Sequence, residues 1–118
     1  MSETKIHDWE IHYVIPEKTC MADCHTHGIG KYGHRELQIV LPIAPELAAA
    51  ILNILGRRIR DGEKFLDGQV ITDALQNDEP IRFVDKDGLL RLIFRDPKGR
   101  WPEDKGCQHP YNLQETVQ

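Results

Sequence analysis

The chain has 118 residues, which is enough for one domain with its own hydrophobic core and no need of a disulfide framework. A net charge of −4, with no basic stripe, argues against nucleic acid as a partner. No apolar run is long enough to span a bilayer and the first residues lack a signal peptide, so we expect a cytoplasmic protein without a membrane partner.

Two strands are predicted in the first third of the chain. The first alternates apolar and polar residues, and its apolar face is formed by Trp9, Ile11, Tyr13 and Ile15. Pro16 ends this strand or restricts it to a sheet edge. Residues 36–41 are nearly continuous in apolar side chains, which is typical of a central strand covered on both faces.

One amphipathic helix follows, with Pro45 at its first position and Glu46 near its positive end. Its apolar stripe recurs every fourth residue, at Leu47, Ile51, Leu55 and Ile59. Gly62 is a natural C-terminal cap. Gly56 interrupts the helix, and a close contact with a strand would account for it.

The second half predicts a short strand at 69–72 and then a hairpin over 81–95 that turns at Asp87-Gly88. In its second strand Leu90, Leu92 and Phe94 are expected to face inward, and Arg91 and Arg95 outward. Trp101 and Tyr111 are expected to pin the tail to the body of the protein. These elements predict a single α+β domain over 1–118, with a mostly antiparallel sheet, one main amphipathic helix, and frayed ends at about 1–6 and 114–118.

Residues 20–34 concentrate cysteines, histidines and glycines, and they are the candidate site. His25 and His27 are two apart, so in a strand both imidazoles point to one face and Cys24 to the other. Candidate further ligands are His34, or Cys107 and His109, which share the same spacing. Cys20 shares a face with Cys24 only if that piece is helical. Zinc is the expected ion, since it favours nitrogen and sulfur ligands.

Three other functions are considered for the same segment: dinucleotide binding, anion binding and thiol catalysis. Residues 28–33 match the G-x-G-x-x-G pattern, but a strand follows instead of the helix that a dinucleotide requires. The alternative is a small-anion site formed by the glycine-loop N–H groups, Lys31, Arg35 and protonated histidines. Thiol catalysis would need Cys107 beside His109, or Cys24 beside a histidine that is not its strand neighbour.

The alternative to all of these is a non-catalytic interaction or regulatory module in which the histidines and glycines are structural. Trp101, the tail, and an edge strand near Trp9 would then mediate partner docking or homo-oligomerisation. The sequence does not decide whether the protein is an enzyme.

Three segments carry a resemblance: Thr26-His-Gly-Ile29, Tyr32-Gly-His-Arg-Glu-Leu37 and Asp96-Pro-Lys-Gly-Arg-Trp-Pro102. Together with Arg58-Ile-Arg-Asp-Gly62 they resemble, in the same order, the motifs of an uncharacterised bacterial family called domain of unknown function 4262. The resemblance covers roughly 24–107, and Arg35 stands where that family usually has proline. It implies a compact single domain and assigns no catalytic role.

Overall fold

A computed structural model describes residues 8–15 and 21–117. Within these residues, one α-helix and six strands are formed in the order β1 (Glu10–Val14), β2 (Asp23–His27), β3 (Leu37–Ile39), α1 (Pro45–Arg60), β4 (Val70–Ile71), β5 (Ile81–Lys86) and β6 (Leu89–Phe94). The sheet order is β1-β2-β3-β6-β5-β4, and every pairing is antiparallel except that of β3 with β6. The predicted α+β class, with one helix on a mostly antiparallel sheet, is confirmed.

The helix face of the sheet carries the core. Period-two alternation places Cys24, Leu37 and Leu90 on this face, all with no exposed surface. They pack with the buried stripe of α1, formed by Ala48, Ile51, Leu52, Leu55 and Ile59. Leu47, predicted to belong to this stripe, is instead 51% exposed. Ile11 and Tyr13 of β1 pack against the same cluster. The alternation predicted for the first strand is confirmed at Trp9, Ile11 and Tyr13. It is wrong at Ile15, which follows the end of β1 and is 66% exposed. The central position of β3 is confirmed.

Helix α1 begins and ends where the sequence indicates. Pro45 takes its first position, and the N–H of Gly62 donates to the Ile59 carbonyl in the left-handed conformation expected of a C-terminal glycine. Gly56 faces Trp9, whose Nε1–H donates to Asn53 Oδ1 at 2.9 Å. The contact that explains Gly56 is therefore the indole of a residue just before β1. None of the helices in residues 8–15 and 21–117 is long and apolar enough to cross a membrane.

The prediction that Arg91 faces outward to solvent is wrong. This residue lies on the face opposite α1, as the alternation requires, but it is only 2% exposed because the C-terminal segment covers it. Its Nη1 donates to the carbonyls of Gln114 and Val117, and its Nε donates to Gln38 Oε1. Burial lowers the pKa of Arg91. The inward positions of Leu90, Leu92 and Phe94 are confirmed.

The C-terminal segment holds itself to β6 through Gln114. This side chain has no exposed surface; its Oε1 accepts from the Phe94 N–H, and its Nε2 donates to the carbonyls of Phe94 and Tyr111. Gln114 is thus firmly packed, although it begins the stretch expected to fray. Residues 1–6 and Cys20, which also carry predictions, lie outside the described residues.

Candidate functional site

Three imidazoles share the face of β1 and β2 that points away from α1. In the register of the two strands, His12 lies opposite His25 and Glu10 opposite His27. The ring centroids of His12 and His25 are 5.4 Å apart in a stacked arrangement, and those of His12 and His27 are 5.9 Å apart, edge to face. We call His12, His25 and His27 the three-histidine face. His25 and His27 share one side of a strand, as predicted, and their neighbour is His12.

Carboxylates flank this face at both ends. Glu10 Oε1 lies 3.4 Å from His12 Nε2, and Asp23 Oδ1 lies 3.2 Å from His25 Nδ1. Glu10, Val14 and the three histidines line a shallow depression of about 450 Å³. Within residues 8–15 and 21–117, no three His, Cys, Asp or Glu side chains are arranged as ready metal ligands. The imidazoles are therefore grouped without converging on one point.

His34, a candidate ligand, has both ring nitrogens engaged. Its Nε2 accepts the backbone N–H of Phe65 at 3.0 Å, and its Nδ1 lies 2.7 Å from the Arg35 carbonyl oxygen. The assignment that satisfies both contacts puts the proton on Nδ1. His34 therefore joins the loop before β3 to the segment after α1, and in this conformation it has no lone pair left for a metal.

Cys107 and His109 belong to a different part of the fold. Cys107 Sγ lies 3.7 Å from the Arg100 carbonyl oxygen, in a turn that Asp96 organises after β6. Although burial opposes it, hydrogen bonds from the backbone N–H groups of Arg100 and Gln108 lower the pKa of Asp96 to about 2. Strand β3 lies between β2 and β6. The tail thus folds onto β6, and the predicted grouping of His25 and His27 with Cys107 and His109 is not formed in this conformation.

The two cysteines that the structure describes, Cys24 and Cys107, lack the environment of a catalytic thiol. Cys24 is fully buried on the helix face of β2, and burial, with a smaller effect of the Asp23 charge, raises the pKa of its thiol to about 11. Burial also raises the pKa of Cys107. A nucleophilic cysteine needs the opposite shift.

The glycine loop after β2 already holds an anion that belongs to the chain. The Glu36 carboxylate accepts the Thr26 hydroxyl at 2.8 Å and the backbone N–H groups of Gly28, Ile29 and Gly30 at 2.9–3.2 Å. Burial alone would raise the pKa of Glu36, but these hydrogen bonds hold it below its ordinary value. The backbone groups proposed to bind an external anion are thus occupied.

The cations of the predicted anion site also face carboxylates. Lys31 Nζ lies 3.6 Å from an Asp8 carboxylate oxygen, and Arg35 Nη1 lies 3.1 Å from one of Asp85. Both cations are thus already paired with carboxylates of the chain itself. Residues 29–32 form a 3₁₀ turn between two strands, so the G-x-G-x-x-G run lacks the helix that would hold a pyrophosphate.

The profile of a family described as domain of unknown function DUF4262 matches residues 4–88, which is more than half of the chain. The chain belongs to the DUF4262 family. No curated protein and no solved structure matches it. The turn at 96–102, which also carried the resemblance, lies beyond the range that the DUF4262 profile covers.

The segments that resemble DUF4262 have structural roles in this chain. Thr26 and Glu36 close the glycine loop, and the Thr26 oxygen also accepts the backbone N–H of Leu37. Arg58, at the end of α1, donates to both Glu63 and Asp73 and stacks on the Phe65 ring. The segments that carry the resemblance therefore hold the loop and the helix end together in this chain, and the three-histidine face is separate from these contacts.

Trp101, expected at a docking surface, and Trp9, beside the edge strand expected there, both contact the chain itself. Trp9 is 7% exposed, and Trp101 lies under the Arg82 guanidinium, 4.5 Å from the ring centroid to Cζ. Sequence reasoning missed His12 as a neighbour of His25. The alternation of the first strand places His12 on its polar side. The sequence does not indicate which strand pairs with it or in which register, so the contact with His25 could not be predicted.

Proposed function

We propose that this chain binds a divalent transition metal ion, zinc foremost, through His12, His25 and His27. The proposal depends mainly on one observation: His12 lies 5.4 Å from His25 and 5.9 Å from His27, measured between ring centroids. His12 thereby supplies the third imidazole that the pair on β2 lacked.

The spacing is close to what an ion requires. With Zn–N bonds of about 2.0–2.1 Å, two imidazoles on one tetrahedral ion have centroids roughly 5 Å apart. The observed separations exceed this by less than 1 Å. Because the rings do not converge as they stand, binding needs rotation about χ1 and χ2, which half-exposed side chains undergo rapidly.

The surrounding charge favours a cation over an anion. Glu10 and Asp23 border the three-histidine face, and each places a carboxylate oxygen within 3.4 Å of an imidazole nitrogen. The backbone groups best suited to an anion are filled by Glu36. Of the two ligand classes that the sequence left open, the metal ion is therefore the better fit. Three imidazoles would leave a fourth position for water or a substrate.

Calorimetric titration of the tag-free protein with Zn²⁺, after treatment with a chelator, tests this proposal. We expect one ion per chain, and we expect His12→Gln, His25→Gln and His27→Gln each to weaken binding by roughly a hundredfold. His109→Gln, a matched change outside the face, is expected to bind like the wild type. Substoichiometric binding by the wild type, or equal loss in the His109 variant, would contradict the proposal.

The second candidate is an interaction module that forms a homo-oligomer. Val14, the last residue of the edge strand β1, and Ile15, which follows it, are 53% and 66% exposed. A second copy of the chain could extend the sheet along β1. Light scattering tests this: Val14→Lys should dissociate the oligomer, whereas Leu66→Lys, at a residue that is 63% exposed elsewhere, should not. A monomeric wild type would refute it.

We also propose a cytoplasmic location. Cys24 and Cys107 are free thiols, as expected in a reducing compartment. Immunofluorescence or cell fractionation of the tagged full chain tests this proposal, and recovery outside the cytoplasm would contradict it.

A further inference from the structure

The three-histidine face is joined to the interior by a chain of polar side chains on the same side of the sheet. His25 Nδ1 contacts Asp23 Oδ1 at 3.2 Å, and the same oxygen is 3.0 Å from Gln38 Nε2. Gln38 Oε1 in turn lies 2.9 Å from Arg91 Nε. Gln38 and Arg91 are 5% and 2% exposed, so the inner half of this chain is shielded from water.

The direction of these hydrogen bonds follows from Arg91. A guanidinium can only donate, so the Gln38 side chain must turn its oxygen toward Arg91 and its NH₂ group toward Asp23. The Asp23 carboxylate can only accept, so it receives a hydrogen from Gln38 and another from His25. The proton of neutral His25 must then be on Nδ1, which leaves the lone pair on Nε2.

We propose that Asp23 is a positioning residue that presents Nε2 of His25 to the metal ion, and that the buried Gln38 and Arg91 hold Asp23 in place for this task. The inference rests on the proposed metal site. Metal-binding histidines commonly donate their second ring N–H to a carboxylate, which fixes the tautomer and orients the ring. The ion itself would contact the imidazole and not Asp23.

The C-terminal segment supports the inner end of this chain of bonds. Arg91 Nη1 donates to the carbonyls of Gln114 and Val117 at 2.9 and 2.8 Å. These bonds hold the guanidinium in the position from which Nε reaches Gln38. The orientation of an exposed imidazole on β2 is thereby tied to residues about ninety positions later in the sequence.

The tautomer can be measured before any metal is added. Long-range ¹H–¹⁵N correlation spectra of the metal-free protein at alkaline pH distinguish Nδ1–H from Nε2–H for each imidazole. We expect Nδ1–H for His25 in the wild type, loss of that preference in Asp23→Ala, and its retention in Asp23→Asn, which keeps an acceptor oxygen. In Glu10→Ala, which removes the same charge from the same face, the His25 tautomer should stay as in the wild type.

Zinc titration of the same four proteins completes the test. We expect Asp23→Ala to bind Zn²⁺ roughly 10–100-fold more weakly than the wild type, Asp23→Asn to recover most of that loss, and Glu10→Ala to lose less than Asp23→Ala. If Asp23→Ala binds Zn²⁺ as tightly as the wild type, or if His25 carries Nε2–H in the wild type, the positioning role is refuted while the metal site stands. If the wild type does not bind Zn²⁺, the proposed function itself is refuted.

Discussion

Gly56 lies directly against the indole of Trp9: a Cβ at position 56 would come within 2.6 Å of Trp9 Cζ2. The glycine thus allows the residue that precedes β1 to pack on the middle of α1, where its Nε1–H reaches Asn53. This contact fixes the edge of the sheet that carries the three-histidine face against the helix.

Gly56→Ala is therefore expected to destabilise the protein. In an ordinary helix interior alanine is favoured over glycine by about 1 kcal/mol. Here the added methyl group must displace a buried ring, and such overpacking typically costs about 1–3 kcal/mol. Urea denaturation of the two proteins measures the difference. In a Trp9→Leu background the alanine should lose its cost, and a stabilising effect in the wild-type background would contradict the steric explanation.

Glu36→Gln should destabilise the loop after β2. The glutamine keeps one oxygen but directs an NH₂ group at backbone N–H donors, and leaving buried donors unsatisfied costs about 1–3 kcal/mol. Glu46→Gln, on the exposed first turn of α1, should cost only about 0.3–1 kcal/mol through the helix dipole. Denaturation at neutral pH compares the two variants, and equal effects would contradict the role assigned to Glu36.

The same substitution has a defined pH dependence. The pKa of Glu36 is below its ordinary value of 4.5 in the folded protein, so the ionised carboxylate stabilises the folded state. This contribution is present above the unfolded-state pKa and is lost as the pH falls through the folded-state pKa. The difference in unfolding free energy between the wild type and Glu36→Gln should therefore shrink in acid. A difference that stays constant below pH 4.5 would contradict the assignment.

Local patterns predicted most of the fold, because strands, turns and helix ends are encoded by neighbouring residues. The alternation before β2, Pro45, Gly62 and the Asp87-Gly88 turn all predicted their elements correctly. The errors concern contacts distant in sequence. Arg91 was predicted to be exposed because no neighbouring residue in the sequence indicates that residues 111–117 cover it.

In the candidate site, too, local patterns were predicted correctly and contacts between residues distant in sequence were not. The shared face of His25 and His27 follows from strand geometry, whereas His12 enters only through the register of β1 on β2. The glycine loop was predicted to bind an anion through its backbone N–H groups. In the structure these groups bind the carboxylate of Glu36, which lies several residues later in the same chain. The shared face of His25 and His27 was therefore predictable from the sequence, whereas the position of His12 and the bonding of the loop N–H groups to Glu36 were not.

Gln114→Leu should destabilise the protein by about 1–3 kcal/mol, because it leaves the Phe94 N–H and carbonyl without their partners in a buried position. Gln108→Leu is the matched control, since that side chain is exposed and only its backbone N–H bonds to Asp96. Its effect should stay within about 0.5 kcal/mol. Thermal and urea denaturation measure both. If Gln114→Leu is as stable as the wild type, residues 114–117 do not hold β6 as described.

The Cys24 thiol should be unreactive in the folded protein. It has no exposed surface, and burial raises its pKa to about 11, so the thiolate needed for alkylation is scarce and shielded. Iodoacetamide at pH 8, followed by peptide mass mapping, reports each cysteine separately. We expect Cys107, which is partly exposed, to be alkylated before Cys24, and Cys24 to react only as urea unfolds the chain. Rapid labelling of Cys24 in the native protein would contradict this burial and would reopen thiol catalysis on β2.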